Sequence, residues 1–155
     1  MPQFDFRVEG LQKLERDWIR LANDLGPTRA RTVANIPLRN ALRPVEDEIR
    51  ANTPVDTGGL SQSIATRARI PTRAEVSQGT LTRDDVAVAR TGWFWRGTSL
   101  WFQALAIEYG TAQVAPQMVI RDALRNNVRE VTDILARELG ERIEQRARRL
   151  AQTGR

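Results

Sequence analysis

Apolar residues recur at helical spacing along most of the chain and at strand spacing in a few short stretches. Near the start, Phe4, Phe6 and Val8 alternate with polar residues, which is the period of a half-buried strand, and Gly10 ends the run. An apolar stripe at spacings of three and four follows, and it predicts an amphipathic helix that stops at Gly26. The stripe consists of Leu11, Leu14, Trp18, Leu21 and Leu25.

A second run of helical spacing extends from about residue 28 to 51, but two prolines lie inside it. Pro37 and Pro44 each remove a backbone hydrogen-bond donor and clash with the preceding turn. The sequence therefore predicts a kinked or broken helix here rather than a straight rod.

Residues from about 61 to 90 change to short stretches of period two, separated by Pro71, Gly79 and Asp84-Asp85. This pattern is typical of an antiparallel meander, which we expect here. The apolar positions of the successive stretches are Ile64, Ala68 and Ile70, then Ala74 and Val76, then Val86 and Val88.

Aromatic residues concentrate in the segment that follows. The group comprises Trp93, Phe94, Trp95, Trp101 and Phe102, of which the three tryptophans and Phe102 are candidate interface residues. The aromatics either cap the open face of the small sheet or serve as exposed anchors for a partner protein. A third interpretation is that they stack single-stranded bases together with Arg90 and Arg96.

The last segment, from about residue 117 to 151, keeps helical spacing throughout and predicts one helix on the order of 50 Å long, at about 1.5 Å per residue. A domain of this size has a radius of gyration of only about 15 Å. We therefore expect the end of the helix, which is rich in arginine, to pack on another chain, lie in solvent or fray. Its candidate interface residues are Ile143, Arg146 and Leu150.

These elements together predict an α+β fold, in which a small antiparallel sheet is packed by N-terminal helices and one long C-terminal helix. With 155 residues the chain is long enough for one domain. We expect that domain to span residues 1–139, including the start of the long helix, and residues 140–155 to form an arginine-rich helical extension.

The composition excludes several kinds of catalytic site. The chain has no cysteine and no histidine, which excludes disulfides, thiolate zinc sites, cysteine nucleophiles and imidazole acids or bases. The 19 acidic residues show no metal-ligand spacing and no recognisable catalytic pair. We therefore expect neither an enzyme nor a bound cofactor or metal.

The net charge of +5 comes almost entirely from arginine, because Lys13 is the only lysine. An excess of arginine indicates either nucleic-acid binding or a bias in amino-acid usage. Acidic residues are interleaved with the arginines over most of the chain, which favours a bias in usage. No apolar run approaches the roughly 18 residues that a membrane span needs, and the N-terminus lacks the features of a signal peptide. We expect a chain made in a cytoplasm, without a membrane partner.

Two segments contain residues that favour turns. In the first, Pro54 ends a helix, Asp56 and Thr57 offer acceptors to backbone donors, and Gly58-Gly59 supply turn positions before Leu60. The second is Glu108-Tyr109-Gly110-Thr111, a helix or strand end with a glycine stop, followed by Pro116. Each segment alone predicts no more than a turn.

In their order and spacing, the two segments resemble the head-to-tail joining family of tailed bacteriophages, also called neck or tail-completion proteins. The matching positions of the first motif are Pro54, Asp56, Thr57, Gly58, Leu60, Ser63 and Ile64, and those of the second are Glu108, Gly110 and Thr111. The family usually continues with Pro-Phe-Leu-x-Pro-Ala-Leu. This chain instead has Met118 or Val119 at the Phe position and Asp122 at the second Pro.

The resemblance implies a structural virion protein of the neck, which forms a ring that joins the head connector to the tail, by head–tail joining or tail completion. Its implied partners are other copies of itself, with a hexamer suggested by the family, the head connector, tail tube or terminator proteins, and DNA passing through the lumen. The implied location is the virion, after assembly in the host bacterial cytoplasm. The alternative is a basic DNA-binding assembly module. We expect Asp56, Thr57 and Glu108 to fix the turns between helix and sheet.

Overall fold

A computed structural model of the chain describes residues 11–54, 58–79, 81, 87–94 and 99–152. The predicted strand at Phe4, Phe6 and Val8 lies outside these residues. The elements in chain order are α1 (Leu11–Leu25), α2 (Pro27–Ala41), α3 (Arg43–Asn52), α4 (Gly59–Gln62), β1 (Ile64–Arg69), α5 (Arg73–Ser77), β2 (Val88–Trp93), α6 (Ser99–Tyr109) and α7 (Val119–Gln152). This arrangement confirms the predicted α+β class with a small antiparallel sheet and a long C-terminal helix.

The break between α2 and α3 confirms the effect predicted for the prolines. Pro37 lies inside α2 with its ring fully buried, whereas Pro44 is the second residue of α3. A proline near a helix start removes a donor that has no partner inside the helix anyway, so the chain restarts at this point. Leu42 forms the junction between the two helices.

The sheet has two antiparallel strands, with Ile64 opposite Trp93 at one end and Arg69 opposite Val88 at the other. The predicted meander is wrong in its middle stretch, because Ala74 and Val76 belong to the short helix α5. Thr72 and Glu75 form a capping box there, in which each side chain binds the other residue's backbone N–H. The capping box starts a helix where the two apolar residues alone predicted a strand.

Two hydrophobic clusters divide the core along the 34 residues of α7. The sheet cluster comprises Val45, Ile49, Leu60, Ile64, Trp93, Ala104, Val119 and Ala123. The helix cluster comprises Leu21, Ala34, Leu139 and Ile143. Because α1 and α2 pack against the second half of α7, they cover one side of the part of that helix that was expected to pack on another chain, lie in solvent or fray.

Ile143 is 8% exposed and packs within its own chain, so its prediction as an interface residue is wrong. Leu150 is half-buried against the same helix cluster. Arg146 is also half-buried, and its Nε atom has no hydrogen-bond partner among the described residues. The helix cluster therefore continues past residue 140, where an arginine-rich extension was expected to start.

Polar contacts also hold α7 against the preceding helices. The Glu48 carboxylate accepts hydrogen bonds from Asn126, at 2.7 Å, and from Asn127. Asn40 of α2 donates to Glu138 at 2.8 Å. These contacts fix the position of α7 along α2 and α3, and so they position the corner where α7 begins.

Candidate assembly surface at the corner between α6 and α7

Helix α6 is apolar on almost all sides, but it is buried on only one of them. Its inner face packs on the sheet cluster, with Ala104 3% exposed and Leu100 and Ile107 beside it. On its outer face, Trp101, Phe102 and Tyr109 are 44%, 68% and 63% exposed. A helix that is apolar on all sides is usually buried on all sides, so the outer face indicates a binding surface.

The two largest exposed aromatics of this face contact each other. The rings of Trp101 and Phe102 lie edge to face, with centroids 5.0 Å apart at 75°. Such pairs are favourable beyond the area they bury, and clustered aromatics commonly anchor protein interfaces. Trp101, Phe102 and Tyr109 together form the α6 aromatic face.

Glu108 connects this helix to the start of α7. Its carboxylate accepts hydrogen bonds from the backbone N–H groups of Ile120, at 2.9 Å, and Arg121, at 3.2 Å. Met118, directly before α7, has a φ of 52° and a side chain that is a poor cap, so the cap comes from α6 instead. Glu108 is 7% exposed, and its negative charge also suits the positive end of the α7 dipole.

Gly110 makes the turn out of α6 with a φ of 75°. A Cβ atom at this position would lie 2.7 Å from the Val114 carbonyl oxygen and 2.8 Å from the Pro116 nitrogen. Both contacts are with backbone atoms, which cannot move aside as a flexible side chain can. The turn therefore requires glycine for its backbone conformation and for the close approach of the chain.

Thr111 closes the same turn. Its hydroxyl accepts hydrogen bonds from the backbone N–H groups of Gln113 and Val114, at 3.2 and 3.1 Å. Its own N–H donates to the Val114 carbonyl at 2.8 Å. Glu108, Gly110 and Thr111 thus act on one corner, which joins helix to helix; the expectation that Glu108 fixes a turn between helix and sheet is wrong on this point.

The first motif lies at the entry to the sheet. Pro54 follows the end of α3, Gly58 has a φ of 75° before α4, and Leu60 is buried in the sheet cluster. Asp56 and Thr57 lie outside the described residues. Ser63 donates its hydroxyl to the Leu60 carbonyl at 2.7 Å, which closes α4 directly before β1.

Trp93 belongs to the core, as one of the three interpretations of the aromatic group predicted, and not to the exposed surface. It is 8% exposed, and its indole N–H donates to the Thr53 hydroxyl at 3.2 Å. Thr53 in turn donates to the Ile49 carbonyl at 2.6 Å. Thr53 was not among the predicted functional residues, although it stands directly before the first motif. Trp95 lies outside the described residues.

The candidate interface residues therefore do not form one surface. Trp101 and Phe102 are exposed on α6, beside the first half of α7, whereas Ile143 and Leu150 pack around its second half. Tyr109 is also exposed, although it was not among the candidate interface residues. It stands eight residues after Trp101, two helical turns along, and this spacing could have placed it on the same face.

A polar groove of about 330 Å³ opens between α2, α3 and β1. Arg50 donates to Glu46 at 2.8 Å and to Asp47 at 3.3 Å on its wall. Burial raises the pKa of the Glu46 carboxyl, but hydrogen bonds from Thr66 and Arg50 and the charge of Arg50 outweigh it, so the pKa is lowered overall. A general acid at neutral pH needs the opposite shift, so this carboxylate suits ion pairing better than proton donation.

Within the described ranges, no group of three or more His, Cys, Asp or Glu residues is placed to hold a metal ion. None of the helices in the same part of the chain combines the length and the apolar character needed to cross a membrane.

Comparisons of the whole chain with protein-family models, with curated proteins and with solved structures found no match.

Proposed function

We propose that this chain is a structural virion protein of the phage neck, which assembles into a ring that joins the head connector to the tail. The observation that carries the proposal is the pairing of the Glu108-Gly110-Thr111 corner with the α6 aromatic face. The residues that resemble the neck family's second motif build this corner, and the exposed aromatics lie on the helix that leads into it.

A closed ring needs contacts between two different patches on each subunit. The α6 aromatic face supplies one such patch, because its side chains are large, apolar and rigid. Glu108 fixes α6 against α7, so the aromatic face has a defined orientation before any partner arrives. A surface that is ordered in advance loses less conformational entropy on association.

Phe102→Ser is expected to impair assembly without unfolding the subunit. The ring is 68% exposed, so its removal changes the free energy of unfolding by less than about 0.5 kcal/mol. An anchor residue of an interface contributes about 2 kcal/mol or more, so self-association falls roughly thirtyfold. Thermal melting measures the first quantity, and sedimentation of the purified chain measures the second.

Ile70→Ser provides the matched control, because Ile70 is 53% exposed at the end of β1, away from α6. It is expected to assemble like the parent chain. The same two variants, each supplied as the sole copy during phage growth, are then compared by counting joined heads and tails in electron micrographs. A folded Phe102→Ser chain that joins heads to tails as well as Ile70→Ser does would contradict the proposal.

A further inference from the structure

Arginines dominate the face of the sheet that points away from the core. Side chains alternate along a strand, and Ile64 and Trp93 occupy the core face. Arg67 and Arg69 of β1 and Arg90 of β2 therefore lie on the opposite face. The register places Arg67 directly across from Arg90, an arrangement of like charges that destabilises a strand pair. A negatively charged ligand would relieve this repulsion.

Glu75 is the only carboxylate among the described residues of β1, α5 and β2. Arg69 donates two hydrogen bonds to its carboxylate, of 2.6 and 2.7 Å, and Arg90 also donates to it. The hydrogen bonds from Arg69, followed by those from the backbone and hydroxyl of Thr72, hold the pKa of the Glu75 carboxyl well below its usual range. One carboxylate thus faces two guanidinium groups and balances only one of them.

Arg67 and Arg73 are exposed and have no carboxylate partner among the described residues. The Arg67 guanidinium lies over the Phe94 ring, 4.3 Å from its centroid. A guanidinium stacked in this way keeps its N–H groups, which lie in its own plane, available for an oxyanion. Over residues 64–94 the sequence has five arginines and three carboxylates, so the segment as a whole is also positive.

We propose that this outer sheet face, with Arg67, Arg90 and Phe94 and the neighbouring Arg73 of α5, binds the phosphate backbone of double-stranded nucleic acid. Planar guanidinium groups match phosphate oxygens, and contacts of this kind are independent of sequence. Binding to an anionic membrane surface typically uses an amphipathic helix with a broad apolar face, which these two strands do not provide. The site goes beyond the proposed function and does not depend on it, because it concerns the single subunit.

The double variant R67Q/R73Q is expected to weaken binding to a short fluorescein-labelled DNA duplex, measured by fluorescence anisotropy between about 50 and 200 mM salt. Two lost phosphate contacts lower the slope of log K against log salt by about 2, and affinity at the lower salt falls about tenfold or more. R129Q/R137Q removes the same charge from exposed positions of α7 and is expected to keep the parent slope.

Glu75→Gln moves the affinity in the opposite direction. It removes the carboxylate that neutralises Arg69 and Arg90, so the duplex is expected to bind more tightly and with a steeper salt dependence. A melting curve checks that the Glu75→Gln chain is folded; if it is not, the two double variants decide the matter. Equal losses in the two double variants, no duplex binding at about 50 mM salt, or binding to anionic vesicles in place of the duplex would each overturn the proposal. So would a folded Glu75→Gln chain that binds no more tightly than the parent.

Discussion

Gly110→Ala is expected to lower the free energy of unfolding by about 3 kcal/mol, which is a large fraction of the stability of a small domain. Alanine at this position has to keep a backbone conformation with positive φ, which L-residues rarely adopt. Its Cβ atom also meets two backbone atoms, of residues 114 and 116, at 2.7 and 2.8 Å. Relief of that overlap requires the chain to move away from α6, which disturbs the turn that leads into α7. Urea denaturation of the purified variant measures the loss.

Gly79→Ala separates the two contributions. Gly79 has a φ of 70°, close to that of Gly110, but a Cβ there meets nothing within 4 Å. This control is expected to lose only the cost of the left-handed conformation, about 1 kcal/mol. Equal losses for the two variants would show that the close approach at Gly110 contributes nothing, and would remove the reason given for glycine at that position.

Glu108→Ala is expected to destabilise the chain by about 2 to 3 kcal/mol, because it leaves two backbone N–H groups at the start of α7 without their acceptor. It also removes a negative charge from the positive end of the helix dipole. Since α7 contributes to both clusters of the core, we expect the loss to appear as one cooperative unfolding transition at lower denaturant concentration.

Two variants test the cap itself. Glu108→Gln keeps one carbonyl oxygen as an acceptor and is expected to lose about half as much as alanine does. Asp122→Asn removes a carboxylate from the first turn of the same helix, but one that is 51% exposed, so its effect stays below about 0.5 kcal/mol. A Glu108→Ala chain as stable as Asp122→Asn would contradict the role assigned to Glu108.

The sequence predicted the helices well wherever an apolar stripe was long. α1 begins and ends where the spacing predicted, the predicted break falls between α2 and α3 beside Pro44, and α7 runs within two residues of its expected limits. Long stripes are reliable because each residue adds to the same periodic signal. At α5 only Ala74 and Val76 supported a strand, and the Thr72–Glu75 capping box outweighed them.

The tertiary contacts of the candidate site were harder to predict from the sequence. The turn at Gly110 was predicted from glycine alone, but the cap that Glu108 gives to α7 joins residues 12 and 13 positions apart across a loop. Ile143 was assigned to an interface because the length of α7 exceeded the expected domain radius. The sequence does not reveal that α1 and α2 pack along that length and bury Ile143. Among the candidate aromatics, periodicity alone did not distinguish buried Trp93 from exposed Phe102.

Light scattering after size exclusion, with negative-stain imaging of each species, tests whether the subunits form a ring. We expect particles with a central hole, whose mass is a whole multiple of the 17.5 kDa subunit and equals six subunits for the expected hexamer. Phe102→Ser is expected to shift that population toward the monomer. A chain that stays monomeric at every concentration and shows no ring, even when a head connector is added, would contradict the account.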